Sequence, residues 1–240
     1  ASSAAPRSSP TERPSPASST PRSGSTSTTG SSSPSDPPTP LRGPLGVAKR
    51  AAWSRPLALD EVKRIGERAS ATVNDVLLAA VAGGLRRYLG ARGMQTSGLE
   101  IHAMVPVNLR PPEEADDLGN RFGLVQVSLP VGEWRRERRL RLVQERMQAL
   151  KHSHEAVTAF QLLAALGVAP RKLADVLMNL LGSKATAVMT NVIGPRWPVY
   201  LCGRRVGTVM FWVPQSARMG VGVSILSYAG QVTVGVSTDQ

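Results

Sequence analysis

Ten consecutive residues, Val76 to Leu85 (VLLAAVAGGL), carry neither a charge nor a hydrogen-bonding side chain. Within "NDVLLAAVAGGLRRYLG" they read as a helix that is apolar nearly all round, and such a helix must be buried on most of its faces. Thr72 is the candidate N-cap, Arg86 and Arg87 suit the negative end of the helix dipole, and Gly90 stands where a C′ glycine belongs. The rest of the chain must therefore supply packing layers on several sides of one segment.

The first forty of the 240 residues cannot do so. Twenty-nine of them are Ser, Thr or Pro, and none is Ile, Val, Phe, Tyr, Trp or Met. A segment of that composition cannot bury enough apolar surface to offset its ordering entropy. Residues 1–45 are thus expected to be a disordered linker, with the globular part at 46–240. The chain begins inside this tract and not with Met, as a fragment or a processed product would. The tract has no apolar core of a signal peptide, and no later stretch has the length of uncharged apolar sequence that a spanning helix needs. Cys202 is the only cysteine, which fits a reducing, cytoplasmic setting and excludes a cysteine zinc site. It is expected to be a small buried hydrophobe in a strand.

The globular part has a readable order of elements. "LALDEVKRIGERA", residues 57–69, is an amphipathic helix with Asp60 and Glu61 in its first turn, and the buried helix follows it. "LEIHAMVPVNLRPP" alternates as a strand stopped at Pro106 and Pro111–Pro112. "EEADDLGN" is an acidic loop and "RFGLVQVSLPVG" a second strand. Helices are expected from Glu133 to Lys151, at 155–166 and at 170–181. The strand-like runs "ATAVMTNVIG", "VYLCGRRVG", "TVMFWVP", "GVGVSILSYAG" and "QVTVGVSTD" close the chain, the last two joined by a turn at Tyr228–Gln231. This order predicts an α+β domain in which a mixed or antiparallel sheet is covered by helices. Regular β-α alternation and a G-x-G-x-x-G after a strand are both missing, which excludes a Rossmann fold.

A formal charge of +12 invites a nucleic-acid reading, but its distribution argues against one. Much of the excess lies in "WRRERRLRLVQERMQALKHSH", where Leu140, Val143, Met147 and Leu150 recur every three or four residues as an apolar stripe. Aromatic residues, 4% of the chain, are too few for a base-stacking platform. Two readings of the Arg-rich face stay open: a solvated surface, or attraction to an anionic membrane or an acyl-CoA phosphate.

Residues that could carry chemistry are few. Asn74 and Asp75 open the apolar helix, where they act either as caps or as a polar pair pointing into a cavity. Asn191 precedes a Gly194–Pro195 corner between two apolar runs. His152 and His154 lack an accompanying carboxylate cluster and are not expected to bind metal. There is no G-x-S-x-G and no phosphate-cradling glycine loop, so the residues alone identify no catalytic group.

Four stretches in this order, "TVNDVLLAAVAGGLRRYL", "MVPVNLR", "GNRFGLVQVSLPVG" and "TNVIGPRWPVYLCGRRV…FWVPQSARMGVGVSILSYAGQVTVGVSTD", resemble the C-terminal half of bacterial wax ester synthase / diacylglycerol acyltransferases. That family belongs to the CoA-dependent acyltransferase superfamily, and the resemblance spans residues 46–240. It implies one lobe of a two-lobe fold with a tunnel between the lobes. Acyl-CoA would enter from one side, and diacylglycerol or a long-chain alcohol from the other. Acyl-CoA is then a substrate, and neither cofactor nor metal is implied. By the resemblance, Asn191, Gly194 and Pro195 belong to the family's N-V-x-G-P turn at the lobe interface, with the Asn191 amide toward the tunnel. Asn74 and Asp75 are further tunnel candidates from their place at the start of the apolar helix. It also implies that the general base is the second histidine of an H-H-x-x-x-D-G motif in the N-terminal lobe. No such motif occurs in this sequence, and the family continues through one more helical segment beyond Gln240. The expected chain is therefore a C-terminal lobe, inactive alone, whose partners are an N-terminal lobe, its lipid substrates and an anionic membrane or lipid-body surface. A non-enzymatic lipid-surface or partner-binding module built on this fold is the alternative. A condensation-type domain acting on carrier-protein thioesters is a third, weaker one.

Overall fold

A computed structural model describes residues 36–109, 122–151, 184–215 and 219–239, together with Thr158. The elements are β1 (Lys49–Trp53), β2 (Leu57–Ala58), α1 (Leu59–Arg68), α2 (Val73–Ala91), β3 (Ile101–Asn108), β4 (Phe122–Leu129), α3 (Arg136–Lys151), β5 (Ala187–Ile193), β6 (Tyr200–Leu201), β7 (Arg204–Arg205), β8 (Val221–Tyr228) and β9 (Gln231–Asp239). The acidic loop and the helices expected at 155–166 and 170–181 fall outside the described residues.

Seven strands form one mixed sheet in the order β1-β9-β8-β5-β3-β4, with β2 also on β9. Its middle is parallel, β5 running with both β3 and β8, and its flanks are antiparallel. The α+β architecture expected from the element order is the one observed.

Helix α2 is less enclosed than its composition predicts: Val76, Val81, Gly83, Gly84 and Leu85 are half-buried and Ala80 is exposed, but Leu77, Leu78, Ala82 and Leu89 are enclosed. They join Ile101, Val127, Met189, Val223 and Ile225 from the sheet in one core. The stripe on α3 also packs there, with Val143 wholly buried and Leu140, Met147 and Leu150 against the cluster. Thr72 caps α2 as expected. The helix runs on through Gly90, however, and the left-handed C′ residue is Gly93 (φ 77°). Its N–H and that of Met94 reach back to the carbonyls of Gly90 and Leu89, the two bonds of a Schellman ending.

Four further expectations are corrected. β3 passes through Pro106, because the imide lacking an N–H faces the β5 side, where pairing has already ended at Met104. "VYLCGRRVG" is a hairpin, β6 to β7, and not one strand. Cys202 is exposed at its turn, with positive φ at both Cys202 (49°) and Gly203 (77°), so it is not a buried strand residue. "TVMFWVP" is an extended segment lying on the sheet and not a strand in it. Its Phe211 and Val213 carbonyls accept from the Ser224 and Ser237 hydroxyls, so side chains replace a neighbouring strand as donors. Gly222 permits this close approach: a Cβ there would stand 2.8 Å from the Val213 oxygen.

The packed unit also begins earlier than residue 46. Asp36, Thr39 and Leu41 are buried, and Arg42 bridges to Met219. The reason is local: "DPPTPLR" supplies one carboxylate and one leucine, and both find partners at the ends of the sheet strands.

Candidate functional site

Asn74 and Asn191, 117 positions apart in sequence, meet in space. Asn191 Nδ2 donates to Asn74 Oδ1 at 3.2 Å. The contact ties the first turn of α2 to the distal part of β5. Asn191 is exposed there, along with Val192 and Ile193. Neither Asn74 Nδ2 nor Asn191 Oδ1 has a protein partner among the described residues. The pair thus presents one amide donor and one acceptor at an open edge. Such groups can orient a polar ligand group, but neither amide can serve as a general base.

Asp75 plays a different part. Its Oδ2 accepts from Thr72 N at 2.9 Å while Asp75 N donates to Thr72 Oγ1 at 3.2 Å, a reciprocal capping box. Asp75 is 3% exposed, and its Oδ1 is buried without a hydrogen-bond partner. The carboxylate is committed to the helix start, where its charge also meets the positive end of the dipole. Of the two expected roles, the geometry shows the cap.

Gly194 and Pro195 have a structural place in the fold. They clamp the exit of β5 to the β8–β9 turn. Gly194 N donates to Ser227 O, and Ala229 N donates to Pro195 O, each at 2.9 Å. A Cβ on Gly194 would stand 2.5 Å from Ser227 O, so a glycine is required by proximity. On either side of this corner the chain exposes Ile193, Trp197, Tyr200 and Leu201, each at least 63% accessible. That is a run of large apolar side chains unusual for a surface with nothing to cover it.

One polar cluster was not legible in the sequence. Both Asp36 carboxylate oxygens accept from His102 N at 3.0 Å, Oδ1 lies 2.6 Å from His102 Nδ1, and Thr186 Oγ1 donates to Oδ2 at 2.5 Å. The carboxylate closes the end of the β3–β5 ladder. Nothing in a Ser/Pro-rich tract marks Asp36 for that role, since its partners lie 66 and 150 residues away.

Among the described residues no group of His, Cys, Asp and Glu could hold a metal, and no helix is long and apolar enough to cross a membrane.

Residues 118–240 match the family model for the WS/DGAT C-terminal domain. The chain belongs to that family. It is 29% identical over 203 residues to a "Probable diacyglycerol O-acyltransferase tgs1" of Mycobacterium tuberculosis H37Rv, covering 83% of this chain and 44% of the relative. Its fold is shared with the wax ester synthase/diacylglycerol acyltransferase of Marinobacter aquaeolei VT8. That match has a TM-score of 0.62 and 22% identity, over 85% of this chain and 46% of the other. The cyclization-docking bidomain EpoB of Sorangium cellulosum has the fold too, at a TM-score of 0.54 and 17% identity, over 86% of this chain and 41% of the other. This WS/DGAT C-terminal domain thus spans less than half the length of the relatives it matches.

Proposed function

We propose that this chain is the C-terminal lobe of an O-acyltransferase that moves a fatty acyl group from acyl-CoA to diacylglycerol or a long-chain alcohol. The observation that carries the reading is the meeting of Asn74 and Asn191 beside exposed apolar residues on the edge where the β5 exit and the β6–β7 hairpin emerge. The pair orients polar atoms of the substrates at one wall of a tunnel, and the apolar run from Ile193 to Leu201 packs against an N-terminal lobe. The general base, the second histidine of an H-H-x-x-x-D-G motif, resides on that lobe, where it takes the acceptor hydroxyl's proton as the oxygen attacks the thioester carbonyl. The family and the fold favour this reading over a non-enzymatic module. No cofactor enters the reaction. Arg135, just before α3, and Arg136 and Arg141 on it, all exposed, bring the protein to anionic membrane or lipid-body surfaces from the cytoplasm, at about 1 kcal/mol per well-placed arginine.

The test compares the purified chain with the same chain joined to a histidine-bearing first lobe of a relative, scoring acyl-CoA-dependent triacylglycerol and wax ester formation. The chain alone should stay near background, since general-base assistance is worth about 10²–10⁴-fold. The joined protein should turn over. Robust turnover by the chain alone, or none by a folded joined protein, overturns the assignment.

A further inference from the structure

Helices α1, α2 and α3 enclose an open groove of about 600 Å³. It lies on the side of α2 turned away from the Asn74–Asn191 contact: Val76, which lines it, is displaced from Asn74 by roughly 200° around the helix. Val76, Ala80 and Leu140 give it an apolar lining, and Arg68, Arg136 and Arg139 line it as well.

Arg139 is built into this place. Its Nε donates to Ala79 O at 3.0 Å and its Nη1 to Glu133 O at 2.9 Å. A Cβ on Gly83 would lie 2.6 Å from its Nη2, so the glycine lets the guanidinium lie flat on α2. Burial, and then the positive charges of Arg136 and Arg86, hold this guanidinium below its ordinary pKa. Arg68 and Arg136 make no ion pair among the described residues, and Glu137 is the only carboxylate in the lining. Like charges crowded around Arg139, with Arg68 lining the same apolar groove, favour a ligand with an anionic head and a hydrocarbon body.

We propose that this groove binds a single-chain lipid phosphate, its acyl chain along Val76, Ala80 and Leu140 and its phosphate held by Arg68, Arg136 and Arg139. Guanidinium groups take phosphate oxygens in paired hydrogen bonds, and a pocket of this volume suits one small amphiphile. A bare phosphate would leave the trough wetted, and a neutral amphiphile would leave the arginines uncompensated. The site needs neither a first lobe nor acyl-CoA, so it stands apart from the acyl-transfer reading.

Dodecyl phosphate, kept below its micelle concentration and titrated into the full chain by calorimetry, tests this. Inorganic phosphate and dodecyl maltoside serve as separate probes. Saturable one-site binding of dodecyl phosphate is expected, weakened about tenfold or more by Arg68→Gln/Arg136→Gln and by high salt. Ala80→Phe, at an exposed position on α2, should weaken it similarly by filling the trough. Equal binding of inorganic phosphate makes this an anion site without lipid specificity and overturns the proposal. Equal binding of dodecyl maltoside, or Ala80→Phe and the double arginine variant binding as the parent does, overturns it as well. So does adhesion to anionic vesicles without saturable binding of the monomeric probe, which would leave only a basic surface.

Discussion

Replacing Gly194 by alanine puts a methyl group 2.5 Å from the Ser227 carbonyl oxygen and 3.4 Å from Leu226 Cδ1. Carbon–oxygen contacts settle near about 3.3 Å, so the corner must retreat by roughly 0.8 Å. The retreat acts on two bonds at once. Gly194 N would draw away from Ser227 O, and Pro195 O from Ala229 N, both now at 2.9 Å. Each bond is worth about 0.5–1.5 kcal/mol net, and forced overpacking costs about 1–3 kcal/mol. Against this, losing a glycine from the unfolded chain returns about 0.4–1 kcal/mol. The expected balance is about 2 kcal/mol of destabilisation. Gly84→Ala is the matched control: it sits inside α2, and apart from the helix's own backbone no atom lies within 4 Å of its Cβ position. There alanine should stabilise by about 0.5–1 kcal/mol. Urea unfolding of both variants, compared at unchanged m-value, reads the difference directly. If Gly194→Ala unfolds with the parent's midpoint while Gly84→Ala is stabilised, the corner is not clamped to the β8–β9 turn, and the packing argument for its glycine fails.

Thr72→Ala should cost about 1 kcal/mol, because it opens the capping box at the start of α2; an unchanged melting curve would show that Asp75 holds the helix start alone. Asn74→Ala and Asn191→Ala, separately and together, should show a coupling of about 0.5–1 kcal/mol in unfolding of this chain. In the joined two-lobe protein each should lower turnover while the melting temperature nearly holds, whereas activity lost only in step with stability would make both residues structural. Arg146→Ala breaks a two-pronged bond to Glu100, at 2.6 and 2.9 Å, between partly exposed side chains. It should cost about 1 kcal/mol or less and lose its effect at high salt; a larger, salt-independent loss would mean that the stem's packing matters more than the charge.

Much of this protein is determined by its sequence alone. The uncharged run from Val76 to Leu85 calls for burial, and α2 packs Leu77, Leu78, Ala79 and Ala82 into the core, while Ala80 stays exposed beside the groove. The stripe Leu140, Val143, Met147 and Leu150 sets the buried face of α3. Ala229–Gly230 sets the β8–β9 turn, with φ of 46° and 76°. These are local rules, in which periodicity and turn chemistry act within a few residues. Tertiary structure decided whatever depends on a distant partner. Pro106 could enter β3 only because β5 stops pairing beside it, and the segment "TVMFWVP" lost its strand because serines on the sheet face meet its carbonyls. Asp36, Thr39 and Leu41 were drawn into the packed unit from a tract whose composition predicts no core at all. Asn74 and Asn191 were each legible as polar residues beside apolar runs, but their contact was not, because local sequence rules reach a few residues and the two are 117 apart. The sheet order, not the composition around either residue, places them together.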